Sequence, residues 1–384
     1  MIPFARVLNY GNVLAKIEIV DIVTSYGNVF VIYSDGKAYG MGDNGVGELG
    51  QGNTLNNYRD VWAEMSVPNI KNITCSRNTT LMITTNNTVY MCGSNFVFNS
   101  NTNVLTPIDI TARFSTFNLA EDEVLCASQG IFVLRANGDL YACGQGTNTS
   151  GNQNGNCGVG TAASVNFKLV ASNVKNVYTS ISASSEASFY VSRTGELYST
   201  GRNGSGACGV GYVGEIPTFT KVNTVFDSAI SGIFCANSTS AICTINGTVY
   251  SCGARSGGQY GDGMNGASAS TTFIKNNAVT IPNSLQYAKS FHNNDGIYIT
   301  NTSAVWCAGA DYYGQFGFGN TSYTVYWTYT ALGSIDPSNF RSGGYFNYTW
   351  SGNKVYACGN SMWIPGRSTN TGVYIQVPVQ PRVL

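Results

Sequence analysis

Short apolar runs separated by turn residues recur along the whole chain, and no segment shows a convincing helical period. Runs such as 28–33 (NVFVIY) and 130–136 (GIFVLRA) are rich in β-branched and aromatic residues, which is typical of β-strands. The dipeptide Asp35-Gly36 is a hairpin signal, because glycine tolerates the positive φ that such turns need. The pattern therefore predicts an all-β fold of short strands joined by tight turns.

A small turn followed by Tyr-x-x-Gly, or Trp-x-x-Gly in one copy, recurs at a nearly constant interval. The signature ends at seven glycines, separated by 51, 51, 57, 52, 56 and 50 residues by subtraction: Gly42, Gly93, Gly144, Gly201, Gly253, Gly309 and Gly359. A G-x-x-G-x-G turn follows five of the seven copies, at 47–52, 155–160, 206–211, 258–263 and 314–319. A period near fifty residues indicates a repeat architecture, in which these glycines are structural.

Each repeat unit contains four short β-type runs. In the third unit they are 104–111 (VLTPIDIT), followed by EVLCAS, GIFVLRA and DLYACG. Four-stranded units repeated seven times predict a β-propeller, because a closed ring leaves only short, protected sheet edges. We therefore expect one domain over residues 1–384, with blades at about 1–53, 54–103, 104–160, 161–212, 213–264, 265–320 and 321–384.

The repeated signature, with its glycine turn, resembles the RCC1 (regulator of chromosome condensation) repeat family. The resemblance covers essentially the whole chain and implies a seven-bladed propeller of RCC1-type blades. It also implies one candidate function, guanine-nucleotide exchange on a small GTPase.

Two positions depart from the family pattern. The usual histidine of the second strand is replaced by Asn78, Gln129, Glu186 and Ser238, and the usual tryptophan before the repeat glycine by Cys92, Cys143, Cys252 and Cys358.

Both ends of the chain look like the strand that opens a unit. Residues 2–8 (IPFARVL) and 372–384 (GVYIQVPVQPRVL) bring the number of opening strands to eight, one more than a ring of seven blades needs. Either terminal strand could close the ring with the first unit. The surplus strand would then be an arm that can add to the sheet of a neighbour.

The composition narrows the range of partners. Charged residues make up 10% of the chain, against about 25% in an average soluble domain, and the net charge is zero. A nucleic-acid partner is not expected, because it would require clustered Lys and Arg. No segment approaches the length of apolar sequence that spans a bilayer, and the N-terminal residues lack the pattern of a signal peptide.

The eleven cysteines are an odd number, and most occupy equivalent repeat positions without a C-x-x-C pair. We expect them to be small buried hydrophobic residues in a reducing compartment, rather than disulfides or zinc ligands.

No catalytic, metal or cofactor site is expected. His292 is the sole histidine and lies at a repeat position. The glycine turns lack the Lys-Ser/Thr pair of a phosphate-binding loop, and no helix follows them. The acidic residues Glu121, Asp122 and Glu123 are interpreted as a solvated loop, because neighbours on a strand point to opposite faces and cannot act as a pair.

The sequence instead favours binding through its surface. Tyrosine and tryptophan are enriched at the centres of interfaces, and the candidate interaction surface consists of Tyr312, Tyr313, Tyr323, Tyr326 and Trp327. The predicted function is a non-enzymatic protein-interaction or structural propeller, packed against protein neighbours in a larger assembly such as a viral capsid or phage tail. The exchange factor and a carbohydrate-binding or inhibitory propeller stay open as alternatives.

Overall fold

The structure is a computed structural model, and within the residues that it describes β-strands dominate. Short 3-10 turns occur at Thr111–Phe114, Pro337–Asn339 and Ser361–Trp363. No helix in the described part of the chain is long and apolar enough to cross a membrane. The described residues are 16–55, 61–95, 98, 102–146, 157–179, 187–235, 238–266, 268–281, 296–301, 304–331 and 336–379.

The strands form seven antiparallel sheets, each built from consecutive strands, and these sheets are the blades of the ring. Blades one to three contain β1 (Ile19–Thr24), β2 (Asn28–Tyr33), β3 (Ala38–Gly42) and β4 (Ala63–Glu64); β5 (Ile70–Cys75), β6 (Thr79–Thr84), β7 (Val89–Ser94) and β8 (Asn103–Asp109); and β9 (Glu123–Ala127), β10 (Gly130–Leu134), β11 (Leu140–Gly144) and β12 (Ser164–Ala171). Blades four and five contain β13 (Val174–Thr179), β14 (Ala187–Ser192), β15 (Leu197–Gly201) and β16 (Ile216–Lys221); and β17 (Ile230–Cys235), β18 (Thr239–Thr244), β19 (Thr248–Gly253) and β20 (Ser270–Thr280). Blades six and seven contain β21 (Gly296–Thr300), β22 (Ala304–Gly309) and β23 (Thr324–Ala331); and β24 (Phe340–Ser342), β25 (Phe346–Ser351), β26 (Lys354–Gly359) and β27 (Thr371–Val377).

The predicted all-β seven-bladed propeller is confirmed. Six of the seven sheets have four strands. The sheet of blade six has three strands within the described residues. Strand β1 packs against both β5 and β24, so the first strand of a blade faces the centre of the ring. The fourth strand consequently forms the outer rim.

The blades are offset by one strand from the predicted repeat units. The run 104–111, expected to open the third unit, is β8, which pairs with β7 and completes blade two. The same holds for β12, β16 and β20, each of which pairs with the strand that ends at the preceding repeat glycine. The reason is local: the loop after each repeat glycine returns the chain to the open edge of the strand that it has just left.

The C-terminal strand β27 fills the outer edge of blade seven, and the ring closes where this blade packs against blade one. Thr24 Oγ1 donates to the carbonyl of Ser342 (2.8 Å), and Trp62 Nε1 donates to the carbonyl of Pro378 (3.0 Å). The other candidate closing strand, residues 2–8, lies outside the described residues.

The repeat glycines allow the third strand to pass close to a neighbouring turn. Gly42 has φ 128° and Gly93 has φ 96°. A Cβ atom on Gly42 would collide with the carbonyl oxygen of Gly27, and one on Gly93 with that of Asn78. Any other residue would therefore meet both an unfavourable backbone conformation and a backbone clash.

Candidate functional site

Two kinds of turn lie at the same end of the ring. In blade one, Asp43 follows the repeat glycine and donates its N–H to the carbonyl of Gly27 in the β1–β2 turn (2.9 Å). Because antiparallel strands alternate in direction, the turn between the first and second strands and the segment after the repeat glycine meet at one end in the blades where the structure describes both. We call this end, formed by these two sets of turns, the loop end.

The five G-x-x-G-x-G turns each bind their blade to the next one. The N–H of the last glycine donates to a carbonyl near the start of the outer strand of the following blade, at an N···O distance of 2.6–2.9 Å. The pairs are Gly52 with Leu105, Gly160 with Pro217, Gly211 with Thr271, Gly263 with Val325, and Gly319 with Gly372. These contacts assign the turns a structural role, which we call the glycine clasp.

At three of the glycine clasps, a cysteine thiol of the following blade makes a further contact with the turn. The Sγ atoms of Cys92, Cys252 and Cys358 lie 3.2, 3.2 and 3.1 Å from carbonyl oxygens in the glycine turn of the preceding blade. All three thiols are buried, and burial raises their pKa values. Three of the four cysteines at this repeat position are therefore hydrogen-bond donors between blades, and the prediction that the eleven cysteines are buried is confirmed.

The structure separates the five predicted surface residues. Tyr312 and Tyr323 are about half exposed at the loop end, and their hydroxyl oxygens lie 2.8 Å apart. Tyr326 is exposed on β23, where its ring covers Gly263 of the blade-five turn. Trp327 is 6% exposed and donates its indole N–H to the carbonyl of Tyr260 (3.0 Å). Trp327 is thus part of the contact between blades five and six, not of the surface.

The fifth predicted residue, Tyr313, belongs to a row of three aromatic rings and one guanidinium that crosses four blades. Its ring lies 4.8 Å from that of Tyr345, which lies 6.0 Å from that of Tyr26. The guanidinium of Arg77 stands 4.8 Å from the centre of the Tyr26 ring. The three tyrosines are partly exposed and Arg77 is exposed. We call these four residues the tyrosine row.

Sequence reasoning did not identify Tyr26, Arg77 or Tyr345. An alignment of the units could have drawn attention to one of them. The carbonyls of Tyr345 and Asn78 accept the same kind of hydrogen bond, from the residue after the repeat glycine. Tyr345 therefore lies where the family has its histidine, in the turn between the first and second strands.

Further apolar side chains are exposed in segments that follow the repeat glycines of blades one, four, five and seven. They are Leu55, Tyr212, Met264 and Met362. Together with Tyr312 and Tyr323 they add exposed apolar and aromatic surface to the loop end.

Two buried carboxyl groups lie in the loops that contain the glycine turns, Glu48 within a turn and Asp311 just before one. Asp311 is 1% exposed and Glu48 is 4% exposed. Burial raises the pKa of Glu48, although backbone N–H groups oppose the shift. Burial likewise raises the pKa of Asp311, to about 7, against the backbone N–H groups of Phe316 and Gln315.

The other residues considered for chemistry have structural positions or lie outside the described residues. Asp122 accepts hydrogen bonds from the N–H groups of Asn118 (2.9 Å) and Ala136 (3.1 Å), so it organises a turn instead of lying in solvent as expected. Glu121 and Glu123 are exposed. His292 is outside the described residues, within which no group of three or more His, Cys, Asp or Glu side chains could hold a metal ion.

A ring of seven sheets, with glycine clasps between five pairs of neighbouring blades, defines a seven-bladed β-propeller. The regulator of chromosome condensation (RCC1) repeat matches residues 70–98 of the chain. The fold is that of an RCC1-like propeller, as its likeness to solved structures also indicates.

Yeast RCC1 (Prp20), solved bound to Kap60, is 13% identical over 90% of this chain and 84% of its own, with a TM-score of 0.72. Prp20p from Saccharomyces cerevisiae, solved in work that includes its binding to Gsp1p and histones, is 14% identical over 90% and 86%, with a TM-score of 0.72. Human WBSCR16 is 16% identical over 83% and 84%, with a TM-score of 0.62.

Proposed function

We propose that this protein is a non-enzymatic propeller that binds a protein partner through its loop end. The observation that supports this proposal is the tyrosine row, in which three blades contribute one aromatic ring each and a fourth contributes an exposed guanidinium. Tyrosine and arginine are enriched among residues that dominate binding energy, because they bury a large area and keep a polar group at the rim.

The composition favours a permanent neighbour over a transient charged one. With 10% charged residues and no net charge, the chain has little means of electrostatic steering. We therefore propose that the partner is a protein neighbour in a large assembly, such as a viral capsid or phage tail.

Sedimentation of native source material on a density gradient tests the assembly, with this chain followed by mass spectrometry. We expect the chain to travel with a large particle at a fixed stoichiometry. Recovery as a monomer at the top of the gradient would overturn the proposed assembly.

Variants test the binding surface once a neighbour has been captured by cross-linking. Tyr345→Ala and Arg77→Ala are expected to weaken binding about tenfold or more. Tyr329→Ala is the matched control, because Tyr329 is exposed on the outer strand β23 and lies outside the tyrosine row. Equal effects of all three variants would refute the assignment of the loop end.

A second candidate is guanine-nucleotide exchange on a small GTPase, which is favoured by the likeness in fold to Prp20p. The test is release of labelled GDP from a panel of small GTPases. Acceleration that the Tyr345→Ala variant abolishes would establish exchange activity at the same surface, in place of a purely structural role.

A further inference from the structure

An asparagine holds the glycine turn together in two of the blades. In blade four, Asn203 accepts a hydrogen bond from the N–H of Cys208 (2.9 Å) and donates its amide N–H to the carbonyl of Tyr212 (2.6 Å). In blade one, Asn44 donates in the same way to the carbonyl of Asn53 (3.0 Å), also nine residues further along. The amide thus joins the beginning, the turn and the end of one loop.

Blade six has a carboxyl group in this position. Asp311 lies two residues after Gly309, as Asn203 lies two residues after Gly201, and its Oδ1 accepts the N–H of Phe316 (2.9 Å). Its Oδ2 is buried and has no hydrogen-bond partner among the described residues. A carboxylate cannot donate, so in its ionised form Asp311 would carry a buried charge and could not replace the amide.

Among the residues that the structure describes, no neighbouring group compensates such a charge. The titratable side chains that face Asp311 are Tyr298 on β21, Cys307 on β22 and Cys358 on β26. Burial raises the pKa of each, so all three are neutral at physiological pH. Within the described part of the chain, the surroundings of Asp311 therefore favour its neutral form, and the pKa of about 7 is consistent with this environment.

We propose that Asp311 is a proton-controlled latch for the blade-six loop, residues 310–323. In the neutral form, Oδ2 donates its proton to the carbonyl nine residues further along, that of Asn320, as the amides of Asn44 and Asn203 do. When the proton is released to water, this hydrogen bond is lost and the loop opens to hydrate the carboxylate.

The latch would regulate the surface that the loop carries. Tyr312, Tyr313 and Tyr323 lie in this loop, and Tyr313 begins the tyrosine row. The loop end is therefore ordered in mild acid and loosens as the pH rises past neutrality. This regulatory consequence rests on the proposed function, whereas the latch itself is a property of the chain without any partner.

Hydrogen exchange of the isolated full-length chain tests the latch. Protection of the peptides that cover 310–323 is compared between the wild type and Asp311→Asn at each pH, so that the intrinsic pH dependence of exchange cancels. We expect equal protection at about pH 5.5 and about tenfold less in the wild type at about pH 8.5, because only the aspartate loses its donor. A wild-type to variant ratio that is the same at both pH values would overturn the proposal.

The reciprocal variant provides a second test that does not depend on blade six. Asn203→Asp should make the hydrogen exchange of residues 202–215 depend on pH as well. The exchange of residues 310–323 should stay as it is in the wild type. If neither loop becomes sensitive to pH, the latch does not exist. If the latch behaves as expected but Tyr345→Ala does not affect binding, the proposed function fails on its own.

Discussion

The guanidinium of Arg341 in blade seven lies 2.7 Å from the carboxylate of Asp21 in blade one. Arg341 also donates to the carbonyls of Ser338 and Phe340, at 2.8 Å each, and lies over the ring of Trp350. Both charged side chains are largely buried. Blade seven lacks the G-x-x-G-x-G turn, and this ion pair between the first strands of blades seven and one is among the contacts that join the last blade to the first.

Removal of this ion pair should destabilise the ring. Arg341→Met removes the guanidinium that neutralises the largely buried carboxylate of Asp21, and we expect the free energy of unfolding to fall by about 3 kcal/mol. Denaturant titration measures the change. Lys221→Met is the control, since the Lys221–Glu196 pair is exposed and should contribute little. An equal fall in the free energy of unfolding in the two variants would show that the Arg341–Asp21 pair stabilises the ring no more than an exposed ion pair does.

The cysteines should be unreactive in the folded protein. Burial raises the pKa values of Cys126, Cys143 and Cys235 to about 12, so the reactive thiolate is almost absent at neutral pH. We expect no rapid alkylation of the native chain and labelling of all eleven cysteines after denaturation. Rapid labelling of a subset under native conditions would contradict the arrangement of thiols between the blades.

A repeat glycine should tolerate substitution less well than an ordinary turn glycine. In Gly93→Ala, the new Cβ atom would stand on a backbone of positive φ and would clash with the carbonyl of Asn78. We expect the free energy of unfolding to fall by about 3 kcal/mol or more. Gly195 also has a positive φ, but a Cβ there would meet nothing within 4 Å. Gly195→Ala should therefore cost only about 1 kcal/mol. Thermal unfolding of the two variants separates the clash from the backbone preference.

The stability of the protein should decrease as the pH rises from mildly acidic to neutral. The pKa of Asp311 is about 7 in the folded chain, above its ordinary value of 3.8. Between these values the folded state binds more protons than the unfolded state, so the contribution of Asp311 falls with rising pH and levels off above about pH 7. Asp311→Asn should remove this component in unfolding experiments across the range, whereas an unchanged pH profile would exclude Asp311 as its source.

The fold could be predicted from the sequence because the backbone conformation at the repeat positions requires glycine. All seven have a positive φ, and a Cβ atom would collide with a backbone carbonyl oxygen at the five whose surroundings the structure describes. This requirement is visible as a period in the sequence. The pairing of β8 with β7 was not predicted, because a repeat shows which strands occur but not which edges they join. The offset between units and blades follows from this ambiguity.

The candidate surface was predicted only in part for a related reason. Tyr326 and Trp327 are adjacent on one strand, so they point to opposite faces, and the sequence did not indicate which one is buried. Tyr26 and Tyr345 are far apart in the chain and meet only because the ring brings blade seven beside blade one. Proximity of this kind depends on closure of the ring, which no local pattern encodes.

The offset of one strand also determines the order in which a growing chain can fold on the ribosome. The glycine clasp of blade one needs the carbonyl of Leu105, which belongs to the last strand of blade two and to the third repeat unit. The outer strand of that blade, β8, also belongs to the third repeat unit. The third strand of a newly made blade therefore keeps an unpaired edge until the next unit has emerged from the ribosome. Translation that stops at any unit boundary exposes such an edge to other chains, so the protein depends on being synthesised to its end.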